Sequence, residues 1–351
     1  MPDIDQSYMQ RCLELARLGA GKVAPNPMVG AVLVHNGRII GEGYHREYGK
    51  AHAEVNCIES VSKYDRDLLA TATMYVSLEP CVHFGKTPPC SDLIIEKGIQ
   101  KVVIGCPDPF SAVNGRGIDK LQKAGIHVVT GVLEQACKEI NRRFFTFHTA
   151  QRPYIVLKWA QTANGIMAAQ TGERLLISNE YSNRLVHQWR TEEAAILIGT
   201  NTALLDNPVL DNRLWTGRKP VRMVLDMDLR LPANLKLFDQ QQKTIVFNSI
   251  RQEQQENILY YQLQKISPAI PQILNAAYAM EIQSILVEGG ARMLQSFIDE
   301  GLWDEARVIT NETLLLTDGL NAPNIPPSQL IKSQKIITDT IHYYTNKQIN
   351  K

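Results

Sequence analysis

The chain has 351 residues, 44% of them hydrophobic and 21% charged, with a formal net charge of +1. That is enough chain for two domains with cores of their own, an ordinary soluble composition, and no electrostatic footprint for nucleic acid. No stretch is long and apolar enough to suggest a membrane span, and residues 1–10 lack a signal-peptide core, so a cytoplasmic protein is expected.

The pattern of residues 5–20 predicts an amphipathic helix, with Met9, Cys12, Leu13 and Ala16 on one face. Strands are expected over 29–35 and 38–45, joined by Asn36-Gly37, a strong hairpin signal. A helix over 51–63 follows, with Val55, Ile58 and Val61 as its apolar positions, then a strand over 73–78. Pro88-Pro89 before Cys90 marks a second helix start, running to Gly98. A strand over 101–106, a helix over 117–124, a strand over 126–130 and a closing helix over 133–148 complete this half. Strands alternating with helices imply a layered α/β sheet.

Gln151-Arg152-Pro153 marks a boundary, because proline disfavours helix at the residue before it. The expected domains are 1–150 and 151–351. All six cysteines (Cys12, Cys57, Cys81, Cys90, Cys106 and Cys137) lie in the first, and all four tryptophans (Trp159, Trp189, Trp215 and Trp303) in the second. A disulfide framework is not expected; Cys12, Cys57, Cys106 and Cys137 read as core. The second half predicts strands over 154–159, 194–199, 221–226, 244–248 and 284–288, and helices over 178–190 and 291–300, again α/β. The glutamine-rich run 240–255 reads as a polar insert or exposed helix.

His52, Glu54, Cys81 and Cys90 carry the strongest chemical signal. Zinc takes imidazole nitrogen and thiolate sulfur, and three protein ligands leave a position open for water. A carboxylate that is not a ligand, here Glu54, can then shuttle protons. A cysteine at a helix start also has a lowered pKa, which favours metal binding. The nucleobase-deaminase pattern is H-x-E followed by P-C-x-x-C; here the second cysteine stands nine positions on instead of three, and spacing alone leaves zinc and buried free thiols both open. Asn26, between Pro25 and Pro27, reads either as a turn residue or as an amide for a pyrimidine edge. In the second half no G-x-G-x-x-G follows a strand. The strand ending at Glu288 runs through Gly289-Gly290 into a helix, which reads as a plain turn or as backbone amides for an anion.

The segment Leu78-Glu79-Pro80-Cys81-Val82-His83-Phe84-Gly85-Lys86-Thr87-Pro88-Pro89-Cys90 resembles the long zinc loop of the bifunctional riboflavin-biosynthesis deaminase/reductase family. Asn26-Pro27-Met28-Val29-Gly30-Ala31, Gly41-Glu42-Gly43-Tyr44-His45, Asp108-Pro109 and Gly115-Arg116-Gly117-Ile118 extend the resemblance. So do Leu157-Lys158, Asn164-Gly165, Gly172-Glu173, Gly199-Thr200, Asp206-Asn207-Pro208, Val224-Leu225-Asp226 and Glu288-Gly289-Gly290. Val82, Phe84, Phe110, Arg174 and Leu176 depart from the residues usual at their positions.

The resemblance implies an N-terminal cytidine-deaminase-like α/β/α sandwich and a C-terminal dihydrofolate-reductase-like α/β domain, with Zn2+ and NADPH as cofactors. It implies hydrolytic deamination of 2,5-diamino-6-ribosylamino-4(3H)-pyrimidinone 5′-phosphate, then reduction of the ribosyl to the ribityl side chain. Position by position, it assigns His52, Cys81 and Cys90 to the metal and Glu54 to catalysis. Asn26, His45, Lys86, Asp108, Lys158, Arg174, Arg190, Leu210, Arg213 and Glu288 are assigned to the substrate, with Arg190 and Arg213 as a phosphate clamp. Gln161, Leu176, Thr202, Asp206, Met227, Gly290, Ala291, Arg292, Met293 and Leu294 are assigned to the dinucleotide. The expected partner is a small pyrimidine ribose phosphate, neither nucleic acid nor membrane, with a homo-oligomer left open. The rival readings are a nucleoside or nucleic-acid deaminase with an accessory domain, and a structural zinc protein.

Overall fold

In a computed structural model, residues 4–85, 88–170, 175–326 and 329–346 are described. The chain divides into two compact units, residues 1–151 and 152–351. The first runs α1 (Ile4–Arg17), β1 (Gly30–His35), β2 (Arg38–Tyr44), α2 (Ala53–Glu59), β3 (Thr73–Leu78), α3 (Cys90–Glu96), β4 (Lys101–Cys106), α4 (Arg116–Lys123), β5 (His127–Thr130), α5 (Glu134–Ile140) and α6 (Arg142–Ala150). Its sheet has the order β2-β1-β3-β4-β5. Strand β1 is antiparallel to both neighbours, whereas β3, β4 and β5 are parallel.

Successive strand residues point to opposite faces, and here both faces are covered. Ala31, Leu33, Met74 and Val76 pack with Ala53, Cys57, Ile94 and Leu121 of α2, α3 and α4. Val32, Val34, Tyr75 and Val103 pack with Met9, Cys12, Leu13 and Cys137 of α1 and α5. The unit is therefore a three-layer sandwich, and each fully buried aliphatic side chain contributes about 1.5–3 kcal/mol. Helix α2 lies unusually close to β2. A Cβ added at Gly43 would stand 2.2 Å from the Cys57 nitrogen and one at Gly41 would stand 2.6 Å from the Cys57 oxygen, so the two glycines permit this approach.

Two helices differ from expectation. The helix expected over 51–63 is shorter: His52 is its extended N-cap (φ −73°, ψ 172°), and α2 ends at Glu59. The closing helix expected over 133–148 is broken at Asn141 (φ −108°, ψ 20°) into α5 and α6. The Asn36-Gly37 turn has two positive φ angles, 48° and 78°, as a tight hairpin requires.

The second unit runs β6 (Tyr154–Thr162), β7 (Ile166–Ala168), α7 (Glu180–Glu192), β8 (Ala195–Gly199), α8 (Thr200–Asp206), β9 (Val221–Leu225), β10 (Thr244–Asn248), β11 (Glu253–Gln255), β12 (Ile258–Gln262), α9 (Ala269–Ala279), β13 (Ser284–Val287), α10 (Ala291–Asp299), β14 (Glu305–Asn311), β15 (Leu320–Asn321), β16 (Leu330–Ile336) and β17 (Asp339–Thr345). The main sheet has the order β11-β12-β10-β9-β8-β13-β6-β14-β17-β16. From β12 to β14 the strands are parallel; β11 at one edge, and β17 and β16 at the other end of the sheet, pair antiparallel.

One face packs Ile155, Leu157, Leu197 and Val287 against Ile273 of α9 and Leu294 and Phe297 of α10. The other packs Val156, Ile196, Ile198 and Leu286 against Val186 and Trp189 of α7 and Ala203 of α8. Strands β8 and β13 are neighbours, yet α8 leaves β8 on one face and α10 leaves β13 on the other. Such a switch opens a crevice beyond the carboxyl ends of the strands. The glutamine-rich run is not helical: it contains β10 and β11, and Ile245, Val246 and Phe247 are buried. Strand β6 reaches Thr162, three residues past the end expected at 159, so Gln161 lies within it.

Candidate active sites

In the first unit, His52 caps α2, Cys81 follows β3 after Glu79-Pro80, and Cys90 opens α3. His52 Nδ1 lies 3.6 Å from Cys81 Sγ and 3.4 Å from Cys90 Sγ, and all three ligand atoms lie within 4.8 Å of one another. The nitrogen–sulfur edge of a zinc tetrahedron built from ordinary bond lengths is about 3.5 Å. The trio therefore fits zinc without rearrangement. Among the described residues it is the only cluster of three such groups. The Cys90 N–H donates to Cys81 Sγ at 3.3 Å, and the Ser91 N–H donates to the Cys81 carbonyl at 3.2 Å, which holds the two cysteines together.

The Cys90 thiol donates to Cys81, which with His52 pulls Cys81 down to about 4, against burial. Cys90 moves up, because its proton is held by Cys81 and its site is buried. The pair behaves as one thiolate and one thiol; a divalent cation holds both as thiolates. Glu54 is 3% exposed. Burial, then the nearby Cys81, pushes its carboxyl up to about 7, the range in which a group both takes and gives protons at neutral pH.

His45, also buried, stacks edge-on against His52 at 5.2 Å. Its Nδ1 pairs with the Ala51 carbonyl at 3.1 Å, so that nitrogen carries the hydrogen, and Nε2 accepts from Asn26 Nδ2 at 3.2 Å. Burial lowers the His45 pKa, consistent with a neutral ring. Asp108 is buried and raised to about 7, chiefly by desolvation. Glu79, read from sequence only as part of the zinc-loop motif, accepts four backbone N–H groups, from Asp108, Gly115, Gly117 and Ile118, at 2.8–3.1 Å. It fixes the 108–118 loop beside Cys81. The expected substrate contact Lys86 lies outside the described residues.

In the second unit a cavity of about 950 Å³ opens at the switch point. It is lined by Lys158 of β6, Gly199 of β8, Leu225 of β9 and Glu288 just past β13, and by Thr200, Thr202 and Asp206 of α8. Gly290, Ala291, Arg292 and Met293 line it at the start of α10, and Leu176, Met227, Arg190 and Leu210 also reach it. Two helix starts thus face one space, a favourable place for phosphate. Gly289 has φ +141°, and a Cβ at Gly290 would stand 3.2 Å from Thr202 Oγ1, so the missing side chains leave backbone open to a ligand. The volume and these cradles fit a dinucleotide.

Three expected contacts do not line this cavity. Leu294 is fully buried in the core. Gln161 accepts from Trp159 Nε1 at 2.8 Å. Arg213 is half-exposed and paired with Asp211 at 2.6 Å. Arg174 lies outside the described residues. The expected pair of free arginine forks is also not what the site holds. Arg190 engages Glu288 through two bonds of 2.6 and 2.8 Å and donates to the Asp211 carbonyl; Lys158 Nζ stands 3.9 Å from the same carboxylate. Burial opposes ionisation of Glu288, but Arg190 and Lys158 overcome it and hold the carboxyl at about 2. Burial lowers Lys158, with Glu288 acting against it. His187, one turn before Arg190 and buried, was not singled out by sequence; burial and the two arginines push it down to about 4.

Comparison with known proteins covers both units. The model described as the RibD C-terminal domain matches residues 153–335, and the cytidine and deoxycytidylate deaminase zinc-binding region matches residues 2–106. Riboflavin biosynthesis protein RibD of Aquifex aeolicus is 39% identical across 95% of this chain and 94% of its own length. The protein of that name from Escherichia coli is 33% identical across 92% and 91%. The crystal structure of a diaminohydroxyphosphoribosylaminopyrimidine deaminase/5-amino-6-(5-phosphoribosylamino)uracil reductase from Thermotoga maritima is 36% identical. It superposes with a TM-score of 0.88 over 98% of this chain and 99% of that one. With both site geometries in place and the likeness running through both units, the chain belongs to the bifunctional deaminase/reductase family of riboflavin biosynthesis.

Proposed function

We propose that residues 1–151 deaminate 2,5-diamino-6-ribosylamino-4(3H)-pyrimidinone 5′-phosphate and that residues 152–351 reduce the ribosyl side chain of the product to ribityl. The observation that carries the first half is the zinc-sized spacing of His52, Cys81 and Cys90 beside a buried carboxyl. Zinc, when bound, supplies a water acidic enough to attack near neutral pH. Glu54, buried and raised to about 7, would take up a proton at its carboxylate as water adds to the ring carbon and return one to the departing amine nitrogen, so that the amine leaves as ammonia. Asn26 and His45 orient the pyrimidine edge, Asp108 holds the far side of the base, and the half-buried His52 and Cys81 leave the trio open to substrate while Cys90 and Glu54 are buried.

In the second unit NADPH, when bound, supplies hydride. Thr202, Asp206, Met227, Leu176 and the 290–293 segment hold the dinucleotide, and Lys158, Arg190, Leu210 and Glu288 face the ribose phosphate. The anomeric carbon is electrophilic only once the sugar ring opens to an imine, and Lys158, half-buried in the middle of β6, provides the proton for that opening. The six thiols are free, which with the NADPH requirement supports work in the cytoplasm on a small-molecule substrate. A nucleoside or nucleic-acid deaminase with an accessory domain is less well supported, since the reductase half matches over its own length.

The test is incubation of the purified chain with the diaminopyrimidine substrate, with and without NADPH, and identification of products by mass. Ammonia release without NADPH and ribityl product only with it are expected; reduction without deamination, or neither, overturns the reading.

A further inference from the structure

We propose that Asn141 is a positioning residue for deamination, clamping the loop that carries Asn26 onto the His45–His52 pair. The inference rests on the deaminase reading above. Asn141 is 4% exposed and sits at the break between α5 and α6. Its Oδ1 accepts the Met28 N–H at 2.7 Å, and its Nδ2 donates to the Met28 carbonyl at 2.9 Å. One side-chain amide thus satisfies both polar backbone groups of a residue 113 positions earlier, as a neighbouring strand would. A planar carboxamide is the side chain that offers one donor and one acceptor side by side.

Met28 stands two residues from Asn26. The loop has further ties: the Asn26 N–H donates to the Val23 carbonyl at 2.9 Å, and the His45 N–H donates to the Val29 carbonyl at 2.9 Å. The Gly30 N–H donates to Ser77 Oγ at 3.1 Å. Asn26 Nδ2 then reaches His45 Nε2 at 3.2 Å, while His45 Nδ1 donates to the Ala51 carbonyl immediately before His52. Hydrogen bonds from Asn141 to Met28 and from Asn26 through His45 to Ala51, joined by the short backbone stretch 26–28, therefore link the helix break to the residue beside the first zinc ligand. Breaking α5 and α6 sacrifices regular helix hydrogen bonding, and the clamp on Met28 is what the break makes possible. Asn141 itself touches none of the reacting groups; it acts through Asn26.

The test combines Asn141→Leu, which is close in shape but lacks both bonds, Asn141→Asp, which retains only the acceptor, Asn26→Ala, and the Asn26→Ala/Asn141→Leu double variant. Steady-state deamination, zinc content, reduction of separately supplied deaminated substrate, and amide hydrogen exchange over 24–30 are measured on the full chain. Asn141→Leu raises the deamination KM roughly ten- to thirtyfold, the effect of two neutral hydrogen bonds, with a smaller change in kcat. Zinc stoichiometry and reduction stay unchanged, Asn141→Asp falls between, and the Met28 amide exchanges faster. In the Asn26→Ala background the Asn141 replacement costs little more, because both act on one contact. Multiplying losses in the double variant, or parallel loss of deamination and reduction, makes Asn141 a structural wedge and overturns the proposal. Unchanged protection over 24–30 overturns it too, and is readable even if the chain proves unable to deaminate the pyrimidine, an outcome that strikes the functional reading instead. If Asn141→Leu does not fold, Asn141→Asp and its double variant with Asn26→Ala decide by the same criteria.

Discussion

The two candidate sites are assembled by different means. In residues 1–151 the reacting groups stand at 52, 54, 81 and 90, on two helix starts and one strand end, and they share protons: Cys81 is low, Cys90 high and Glu54 near 7. In residues 152–351 the site is made by sheet topology. Lys158 within β6, Gly199 and Leu225 at the ends of β8 and β9, and Glu288 just past β13 come from four different strands of one sheet, and its charges are already paired, with Glu288 held near 2 by Arg190 and Lys158. A site poised to exchange protons keeps groups near neutrality, whereas a site that must hold an anion and a dinucleotide fixes its charges in advance.

The largest effects separate the two units. Cys81→Ser or Cys90→Ser removes zinc and abolishes deamination, because two protein ligands do not retain the ion. Glu54→Gln keeps one zinc per chain by elemental analysis but lowers deamination by about 10²–10⁴-fold, the span of general acid–base catalysis. Reduction of separately supplied deaminated substrate is unchanged in all three. A Glu54→Gln variant that deaminates at the wild-type rate removes the proton-shuttle role; one that loses zinc makes Glu54 a ligand.

The same contrast governs what was legible in the chain. The trio at His52, Cys81 and Cys90 was left open by its spacing and became legible only through the zinc-loop resemblance of 78–90, whereas β1 and β2 were readable from alternation and the Asn36-Gly37 turn. Asn141 was not, since a helix break is invisible when Leu133, Cys137, Ile140 and Phe144 keep helical spacing across it. The far edge, β14, β17 and β16, was also missed. Leu330–Ile336 is almost wholly exposed, so burial imposes little pattern on it and its pairing with β17 comes from the fold. In the reductase cavity, Leu294 and Arg213 follow the family motif in sequence while standing in the core and at the surface; position along a motif does not specify which way a side chain leaves a helix or a loop.

A middle-sized effect tests the fixed charges. Glu288→Gln leaves Arg190, 13% exposed at its side chain, without its bidentate partner, and breaking such a pair costs about 3–5 kcal/mol. The sign with pH follows from the shift. Glu288 falls from 4.5 to about 2 in the fold, so its contribution is present above pH 4.5 and lost as pH falls from there toward 2. The stability difference between wild type and Glu288→Gln, read by denaturant unfolding, should narrow across that window. A difference constant from pH 6 to pH 3 means the pair does not hold the second unit together.

The smallest effect bears on Arg213. The family motif makes it half of a phosphate clamp, but its side chain is 54% exposed and bound to Asp211, and it is absent from the cavity wall. A solvated ion pair contributes about 0–1 kcal/mol, so Arg213→Ala should leave thermal stability nearly unchanged. It should raise the reductase KM for the phosphorylated substrate by no more than roughly fivefold, about 1 kcal/mol. Because the influence is long-range and screened, that rise should shrink further at molar salt, where the Debye length falls to about 3 Å. Deamination should not change, since Arg213 lies in the other unit. A salt-insensitive rise of a hundredfold means instead that the 211–215 loop closes on substrate and that Arg213 exchanges Asp211 for the phosphate. An unchanged KM at every salt concentration leaves Arg190, already fixed by Glu288, as the cation that orients the ribose phosphate.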